Sequence, residues 1–448
     1  MKKIEKRAIM CLLLALVLLG GLCYFVYEDW HEGNKWAIYE GNRDVFAEGK
    51  LAKGALYDRE GQLLMKNTAD GMEFNEDYDI RCALMHLTGD EDNNIATGAN
   101  RIFLDRMIGF DFINGIYTLN NDGEDVYLTL DADVCATAYE ALSGRKGTVG
   151  VYNYQTGQMI CMVSTPTFDP ADPPSDPPDG SYINRFTSAA FAPGSTFKLV
   201  TAAASIENLS DAYSYTVDCS GSVDYGHDDE VTDVSVHGTV DLEEALEVSC
   251  NCYFGKLAEK LGPDVLEEYV EKTGLDESIH FDGIETKEGT FDYPDSGVDL
   301  AWTGIGQYHD MVNPCAMMVY MGAIASDGTA VMPTIMKPDN IVDEKIKEVT
   351  STKTKDMIDP ATASSLKSMM RNNVESHYGG ENAFPGLALC AKTGTAEVEG
   401  QSAPNSWFVG FLDDESNPYA FVVLVEEGGY GVDAAGSVAN RVLQDLVD

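Results

Sequence analysis

Positively charged residues are scarce in this chain. Its 448 residues include 30 Lys+Arg against 74 Asp+Glu, which gives a formal net charge of −44 at pH 7. A field of that sign repels phosphate backbones, so the composition excludes a nucleic-acid-binding protein. Hydrophobic residues make up 44% of the chain and aromatic residues 10%. These fractions favour packed cores, and the length predicts two or three domains.

The sequence also lacks the usual signatures of bound metals and nucleotides. Its ten cysteines and seven histidines show no Cys-x-x-Cys pair and no ligand-like spacing of cysteine with histidine. A zinc site is therefore not predicted from the pattern. No Gly-x4-Gly-Lys-Ser/Thr loop occurs, and Gly304-x-Gly306, which lacks a third glycine, is interpreted as a turn. We expect no cofactor. Cys161, Cys315 and Cys390 lie in apolar runs and are predicted to be small core residues, while the pairing of the other cysteines stays open.

One long apolar run stands out near the N-terminus. Ala8–Tyr27 contains no charged residue, and as a helix it would extend about 30 Å, the hydrocarbon thickness of a bilayer. Basic residues precede it and acidic residues follow it, which places residues 1–7 in the cytoplasm and the rest outside. The run is longer than the apolar core of about 7–15 residues in a cleaved signal peptide. We predict an uncleaved signal anchor at 8–27, a single membrane span.

Beyond the anchor, residues 28–125 are polar and irregular, and the pattern becomes regular from residue 126. Asp131 can cap a helix that runs to about Ser143, and a last helix is predicted from about Ala434 to Leu446. Strands are predicted at Val126–Leu130, Gly147–Tyr152, Gln158–Ser164, Leu387–Ala396, Ser406–Leu412 and Tyr419–Glu426. The roughly 220 residues between the early and late strands have mainly helical patterns. The pattern predicts an α+β fold: a five-stranded antiparallel sheet with flanking helices and a helical insertion, and a cleft between them.

The first candidate for chemistry is Ser195 with Lys198. Pro193-Gly194 forms a turn before an apolar helical segment, which places Ser195 at a helix N-terminus where unpaired N–H groups favour developing negative charge. Lys198 lies three residues on, on the same face. A partly desolvated lysine with a lowered pKa can act as the base that a serine nucleophile needs.

Two further segments carry polar residues that suit catalysis. Ser249-Cys250-Asn251 combines a hydroxyl with an amide, which can relay a proton and grip a peptide bond. Lys392-Thr393-Gly394-Thr395 follows the apolar Leu387–Ala391, so it is predicted on an edge-like strand that can pair with a substrate peptide. Gly394 permits close approach of another chain.

Each short pattern is weak by itself, because Ser-x-x-Lys and Lys-Thr-Gly each occur elsewhere in the chain as well. Ser364-x-x-Lys367 falls in the middle of a predicted helix and is interpreted as a solvated face. Lys272-Thr273-Gly274 ends another helical segment, where Gly274 suits an ordinary C-cap. Context separates the catalytic candidates from these copies.

Ser-x-x-Lys, Ser-x-Asn and Lys-Thr-Gly in this order form the motif set of penicillin-binding proteins and serine β-lactamases. Residues 126–448 resemble the transpeptidase domain of class B penicillin-binding proteins, of the small kind with a short pedestal. The resemblance also rests on Thr156-Gly157-Gln158, Ser164–Pro170, Asn184-Arg185, His237-Gly238, Gly304–Gln307, Ala396-Glu397, Trp407–Gly410 and Asp58-Arg59 within Gly54–Gly61. It implies a membrane-proximal pedestal at 28–125 and a penicillin-binding transpeptidase domain at 126–448. Tyr308 and Asn313-Pro314 depart from the family's pattern near the cleft.

The resemblance implies a role for each candidate. Ser195 would attack the carbonyl between the terminal D-alanines of a peptidoglycan stem peptide, and Lys198 would take its proton. Ser249 would pass a proton to the departing D-alanine, and Asn251 would hold the substrate's amide region. The remaining implied contacts to substrate come from Lys392, Thr393, Gly394 and Thr395. The N–H groups of Ser195 and Thr395 would form the oxyanion hole. An amine on a neighbouring stem would resolve the acyl-enzyme into a cross-link, or water would release it in a D,D-carboxypeptidase reaction.

The resemblance further implies β-lactams as inhibitors, a location in the bacterial cell membrane with the catalytic domain outside, and a SEDS-family glycosyltransferase as partner. Three alternatives stay open. A β-lactam hydrolase would need a base for water, and the class A pattern Ser-Asp-Asn has Cys250 at its middle position here. A β-lactam sensor would need an intracellular signalling part. A catalytically idle scaffold of a wall-synthesis complex would not need the complete set of motifs.

Overall fold

The structure, a computed structural model, divides into two compact units. It describes residues 2–37, 54–68, 71–107, 110–111, 116–117, 123–226, 229–338 and 352–447. One unit comprises residues 1–55, 66–73 and 103–126, and the other comprises 56–65, 74–102 and 127–448. The second unit therefore includes two segments from the region before residue 126. The predicted division into a pedestal at 28–125 and a catalytic domain at 126–448 stays a prediction.

The region before the large sheet consists of one long helix followed by short elements. Helix α1 spans Lys2–Ala37 and includes the apolar run. Within the described residues, no helix meets the combined length and apolarity that a membrane span requires, so the predicted anchor at 8–27 is not confirmed. The other elements of this region are β1 (Ala55–Tyr57), β2 (Leu63–Thr68), β3 (Gly71–Phe74), α2 (Tyr78–Thr88), α3 (Ala99–Ile102), α4 (Leu104–Met107), β4 (Phe110–Asp111), β5 (Ile116–Tyr117) and β6 (Val126–Tyr127).

A five-stranded antiparallel sheet forms the centre of the second unit, as the sequence predicts. Its strands are β7 (Gly147–Asn153), β8 (Met159–Thr165), β15 (Leu389–Ala396), β16 (Asn405–Leu412) and β17 (Tyr419–Val425). Their order in the sheet is β15-β16-β17-β7-β8. The early hairpin and the late meander join where β17 pairs with β7, with Val422 opposite Gly150. Strand β15 consequently lies at one edge.

Both faces of this sheet are covered. Every residue of β8 and β16 is buried, which explains why these strands are continuous apolar runs. Helix α12 (Pro314–Ala325) is buried along its whole length and packs against β16 and β17. Helix α5 (Ala132–Leu142) packs against β8 and against the last helix, α15 (Ser437–Val447). The Asp131 side chain accepts a hydrogen bond from the Val134 N–H at 3.2 Å, so the predicted N-cap is confirmed.

The predicted insertion between β8 and β15 is mainly helical but also contains short hairpins. Its helices are α6 (Arg185–Ser188), a 3₁₀ turn (Gly194–Thr196), α7 (Lys198–Asn208), α8 (Leu242–Glu247), α9 (Asn251–Leu261), α10 (Pro263–Thr273), α11 (Val298–Thr303), α12, α13 (Pro360–Ser376) and α14 (Gly380–Ala383). Its strands are β9 (Val217–Cys219), β10 (Ser222–Gly226), β11 (Asp229–Thr232), β12 (Gly238–Val240), β13 (His280–Phe281) and β14 (Ile284–Glu285). A π-helical turn at Val432–Gly436 precedes α15.

All ten cysteines are free thiols in the structure. Cys161, Cys315 and Cys390 are fully buried, which confirms their predicted place in the core.

Candidate active site

Ser195 lies in a tight turn of the helical insertion that packs against strand β15 of the sheet. The 3₁₀ turn leads directly into α7, whose first residue is Lys198, three positions after Ser195. The Gly194 N–H donates to the Gly306 carbonyl at 2.8 Å, and Thr196 Oγ1 donates to the Pro193 carbonyl at 2.8 Å. Gly194 has φ +53°, and a Cβ there would lie 2.6 Å from the Thr395 carbonyl oxygen. Glycine therefore lets the turn press against β15.

Lys198 is fully buried and points at the Ser249–Asn251 loop. Its Nζ donates to the Ser249 carbonyl at 2.5 Å, to Ser249 Oγ at 3.2 Å and to Asn251 Oδ1 at 2.7 Å. The Phe254 ring centroid lies 5.5 Å from the same nitrogen. Sequence reasoning predicted that Lys198 and this loop belong to one site, and the fold brings them together across 51 positions of the chain.

The Ser249–Asn251 loop leads into α9, and it forms hydrogen bonds with Lys198 and with Thr232. Ser249 has φ +58°, a backbone conformation that residues with a side chain rarely adopt and that concentrates at functional sites. Asn251 Nδ2 donates to the Thr232 carbonyl at 2.9 Å, while its Oδ1 accepts from Lys198. Both ends of the Asn251 amide are thus engaged by the protein, so its role here includes fixing Lys198.

Strand β15 contributes the second buried lysine. Lys392 Nζ donates to Ser249 Oγ at 3.0 Å and to the Thr393 carbonyl at 3.2 Å. Gly394 pairs with Trp407 of β16, and a Cβ on Gly394 would lie 2.7 Å from the Pro193 carbonyl oxygen. The third motif therefore touches the turn that carries Ser195. The predicted edge position of this motif is confirmed by the sheet order.

Burial sets the charge states of the two lysines. Desolvation, with the nearby Lys392 charge as second cause, lowers the pKa of Lys198 to about 7. Desolvation likewise lowers the pKa of Lys392 to about 7. A substantial fraction of neutral amine is therefore present near neutral pH, which is the form that accepts a proton. Ser249 Oγ lies between the two amines and accepts a hydrogen bond from each, which leaves its own proton available.

Tyr378 is a site residue that sequence reasoning missed. Its hydroxyl lies 3.1 Å from Thr393 Oγ1 and accepts a hydrogen bond from the Thr393 N–H at 3.3 Å. The side chain is buried, in the segment between α13 and α14. No local pattern marks it, because its contact with β15 depends only on how α13 packs against the strand.

The second copies of the motifs lie where the sequence predicts. Ser364 is exposed within α13, and Lys367 Nζ pairs with Asp413 Oδ1 at 3.0 Å. Gly274 terminates α10 with φ +66°, the left-handed conformation of a C-cap.

A set of possible metal ligands also converges beside the Ser249–Asn251 loop. Cys219, Asp233, His237 and Cys250 each offer one ligand atom, and all four atoms lie within 4.8 Å of one another. Their spacing in sequence gives no zinc signature, so the prediction of no metal site rested on local pattern alone. Only the short hairpins of the insertion bring the four together.

Comparison with known proteins connects this geometry to a family. The family model described as the penicillin-binding protein transpeptidase domain matches residues 147–448. The chain belongs to this family. Peptidoglycan D,D-transpeptidase PbpA of Mycolicibacterium smegmatis is 27% identical over 349 residues, covering 70% of this chain and 70% of the relative. PbpA of Mycobacterium tuberculosis is 27% identical over 392 residues, covering 80% and 78%. These relatives support the resemblance to the class B proteins.

Solved structures agree on the transpeptidase fold. The ceftriaxone acyl-enzyme complex of penicillin-binding protein A from M. tuberculosis superimposes with a TM-score of 0.77 at 21% identity, covering 90% of this chain and 99% of that one. The D,D-transpeptidase domain of a peptidoglycan glycosyltransferase from Eggerthella lenta gives a TM-score of 0.75 at 25% identity, covering 89% and 98%. The five-stranded sheet and its flanking helices are thus the architecture of the transpeptidase family.

Proposed function

We propose that this chain is a serine-type peptidoglycan D,D-transpeptidase that cross-links stem peptides and is acylated by β-lactams. The proposal depends chiefly on one observation: Ser249 Oγ lies within hydrogen-bonding distance of two fully buried lysines, Lys198 and Lys392. Lys198 is the first residue of the helix that Ser195 precedes, and Lys392 lies on the edge strand β15. These contacts support a site in which Ser195 is the proposed nucleophile, Lys198 the proposed base, Ser249 the proposed proton relay and β15 the proposed peptide-binding edge.

In the acylation step, Ser195 Oγ attacks the carbonyl carbon of the penultimate D-alanine and gives its proton to neutral Lys198. The pKa of Lys198, lowered to about 7, makes the neutral base available without extreme pH. The tetrahedral intermediate carries an oxyanion, which the N–H groups of Ser195 and Thr395 are proposed to bind. Collapse of this intermediate breaks the peptide bond and leaves an ester on Ser195.

The departing D-alanine nitrogen needs a proton as the bond breaks. Ser249 is proposed to donate it, because its hydroxyl proton is free while its oxygen accepts from Lys198 and Lys392. Lys198 then returns a proton to Ser249. In the second half, an amine of a neighbouring stem attacks the ester, loses its proton to the same relay, and restores Ser195.

Substrate binding is proposed along β15. Strand β15 is an edge strand, and an extended stem peptide is proposed to pair with its end near Thr395, because the Thr393 N–H and carbonyl are already bound by Tyr378 and Lys392. Thr393, held by Tyr378, and Thr395 would bind the terminal carboxylate near the Lys392 charge. In a chain with a net charge of −44, such local cations are needed to attract a carboxylate-ended peptide.

The nucleophile is tested by labelling the full chain with a fluorescent penicillin. We expect one label per chain in the wild type and none in Ser195→Ala. Ser364→Ala is the matched control, since it removes the serine of another Ser-x-x-Lys copy and should leave labelling unchanged. Equal labelling of wild type and Ser195→Ala would contradict the proposal.

The fate of the adduct separates the alternative enzymes. A label that persists on the penicillin-treated chain, together with exchange of a D-amino acid into a model stem peptide by the unlabelled chain, supports a transpeptidase. Rapid loss of the label with hydrolysed penicillin in solution supports a β-lactam hydrolase, and release of D-alanine by water alone supports a D,D-carboxypeptidase. A labelled chain that processes no stem peptide supports the sensor or the idle scaffold.

The expected partner and location follow from the family resemblance alone. A SEDS-family glycosyltransferase and a cell-membrane location with an extracytoplasmic catalytic domain are part of the proposal. Co-purification of the full chain with such a glycosyltransferase from membranes, compared with a chain lacking residues 1–27, tests both.

A further inference from the structure

A small polar cavity lies in the second unit, and none of the three motifs contributes to it. Its volume is about 210 Å³. Six residues from four separate stretches of the chain line it: Arg59, Glu60, Thr129, Gln158, Lys337 and Pro338. All six belong to the same compact unit. Cavities that take drug-sized ligands measure about 300–1,000 Å³, so this one suits a smaller molecule, of the size of a single amino acid.

The turn that carries Arg59 and Glu60 is held in place by Asp58. The Asp58 carboxylate accepts hydrogen bonds from the Glu60 N–H at 2.9 Å and from the Gln62 N–H at 2.7 Å. The Arg59 N–H donates to the Leu130 carbonyl at 2.9 Å, which docks the turn on the segment before α5. The two charged side chains therefore extend from a backbone that is fixed before any ligand arrives.

The segment that carries Lys337 is fixed by a second buried network. Asp282 Oδ2 accepts hydrogen bonds from the Ile335 N–H at 2.7 Å and from the Met336 N–H at 3.1 Å. The Lys337 N–H donates to the Tyr127 carbonyl at 2.9 Å. Because the backbone on both sides of the cavity is already ordered, a ligand binds there without the entropic cost of ordering it.

The cavity is positive although the chain as a whole is strongly acidic. Two cations, Arg59 and Lys337, face one acid, Glu60, so the lining has a net charge of +1. Lys337 Nζ donates to the Arg59 carbonyl at 2.5 Å, and this neutral acceptor does not cancel the ammonium charge. Arg59 Nε lies 3.8 Å from Glu60 Oε1, which is too long for a hydrogen bond. Both cations therefore retain donors for an anionic ligand.

These donors favour a carboxylate as the anionic group of the ligand. The Arg59 guanidinium is a planar fork that matches the two oxygens of a carboxylate. The Lys337 ammonium has three donors, of which the Arg59 carbonyl takes one. The Gln158 side chain adds an amide that can donate to the same group. A net charge of +1 in the lining matches a carboxylate better than it matches a phosphate dianion.

Glu60 offers the complementary contact for a positive group. Its side chain is 79% exposed, so its carboxylate is free to turn towards a ligand at the mouth of the cavity. Since Arg59 Nε and Glu60 Oε1 are only 3.8 Å apart, a ligand that contacts both needs its negative and positive groups close together. An α-amino acid has a carboxylate and an ammonium on one carbon atom and meets this requirement.

We propose that this cavity binds a small zwitterionic α-amino acid, with its carboxylate on Arg59 and Lys337 and its ammonium on Glu60. Under the proposed function the chain itself releases D-alanine, which belongs to this class. The identity of D-alanine as the natural ligand rests on that function, whereas the binding site does not.

Binding is measured by fluorine NMR on the full chain in detergent, with β-fluoro-D-alanine as the probe. Penicillin is added first, so that the candidate active site is closed. We expect the fluorine line to broaden and excess D-alanine to restore it. Propionate, which lacks the ammonium, should compete at least about tenfold more weakly, and D-alaninamide, which lacks the carboxylate, should not compete. A folded chain that leaves the line sharp, or equal competition by D-alaninamide, would overturn the proposal.

Variants of the lining residues locate the ligand. Arg59→Gln and Lys337→Gln should each weaken D-alanine and propionate binding by at least about tenfold, because a charged donor is lost. Glu60→Gln should weaken D-alanine binding and leave propionate binding unchanged. Arg441→Gln is the matched control, because Arg441 is an exposed arginine on α15 that pairs with Glu140. Wild-type D-alanine affinity in a folded Arg59→Gln chain contradicts the site, and equal affinity for propionate and D-alanine contradicts the role of Glu60.

Failure of the proposed function leaves a different result. A chain whose Ser195 is not acylated by penicillin counts against the proposed function, while the Arg59→Gln and Glu60→Gln variants still decide whether the cavity binds the probe. Loss of probe binding in Arg59→Gln together with unchanged penicillin labelling supports an amino-acid site that is separate from the candidate active site.

Discussion

Ser195 with Lys198 and Ser364 with Lys367 share one sequence pattern in different surroundings. The first pair starts a helix, between a glycine turn and an edge strand, and its lysine is fully buried. The second pair lies on the outer face of α13, where Ser364 is exposed and Lys367 pairs with Asp413. The chemistry of the pattern therefore comes from burial and neighbours, which lower a lysine pKa and aim its amine.

The two copies of Lys-Thr-Gly teach the same lesson. Gly394 is needed because the backbone of the Ser195 turn passes within reach of its missing side chain, whereas Gly274 is needed for its left-handed backbone. One glycine serves the site and the other serves a helix end. Matched substitutions in both copies can therefore separate catalysis from stability.

The largest expected difference comes from the two lysines. Lys198→Met should lower the acylation rate by roughly 10³-fold, because the proposed general base is removed and general bases contribute about 10²–10⁴-fold. Lys367→Met should leave the rate unchanged. Stopped-flow measurement with a fluorescent penicillin gives both values. A similar loss in the two variants would remove the distinction between the copies.

The next largest difference is expected between substitutions of Gly394 and Gly274, one in each Lys-Thr-Gly copy. Gly394→Ala places a Cβ 2.7 Å from the Pro193 carbonyl oxygen, so the Ser195 turn must shift. A displacement of about 1 Å at a catalytic group can cost about 10²-fold in rate. Gly274→Ala, at φ +66°, should lower the free energy of unfolding by about 1 kcal/mol without slowing acylation. Urea unfolding and acylation rates are compared for both, and a Gly274→Ala chain that is slow but stable would contradict the assignment.

The pH dependence of acylation tests whether burial lowers the pKa of Lys198. Lys198 accepts a proton only when neutral, and its pKa is lowered from 10.5 to about 7. The acylation rate should therefore fall about tenfold per unit as pH decreases below about 7, and level off above it. Acylation rates measured between about pH 5.5 and 8.5 show where the rate levels off. A rate that continues to rise tenfold per unit up to the highest pH would indicate an ordinary, unperturbed lysine.

The smallest effect is expected from two tyrosines, Tyr378 beside the candidate site and Tyr213 beside the Ser364 copy of the serine motif. Tyr378→Phe removes the hydroxyl that contacts Thr393, at a total cost of about 1 kcal/mol, so kcat/KM for a model stem peptide should fall by about fivefold. The loss should appear mainly in KM, because Thr393 is proposed to bind the carboxylate. Tyr213→Phe, whose hydroxyl lies 2.9 Å from Ser365 Oγ, is the control and should have no effect on activity. A loss in kcat alone would argue against the binding role.

Much of the fold was predictable because its strands are buried on both faces. Strands β7, β8, β16 and β17 are continuous apolar runs, and their predicted bounds agree within about two residues with the structure. The order of the strands in the sheet is harder to predict from the sequence. That β17 pairs with β7 depends on contacts between residues more than 250 positions apart, such as Val422 and Gly150, which no local pattern encodes.

The candidate site likewise has features that the sequence predicts and features that it does not. Ser195, Lys198, Ser249 and Lys392 are predicted from motifs, because each motif has a local reason such as a turn, a helix start or a strand. Their hydrogen bonds, and the pKa values near 7 of Lys198 and Lys392, cannot be predicted from the sequence, since they require burial by distant elements. Tyr378 was missed for the same reason.

The sequence by itself determined the apolar runs that become strands, the caps and glycine turns that begin and end helices, and the order of the three candidate motifs. These are consequences of backbone sterics and hydrophobic periodicity, which act over a few residues. Only the tertiary structure decided which copy of each motif is buried, placed Ser249 between two lysines, and gathered Cys219, Asp233, His237 and Cys250 behind the loop. Desolvation and ligand convergence depend on distances in space, and distances in space are fixed only when the chain has folded.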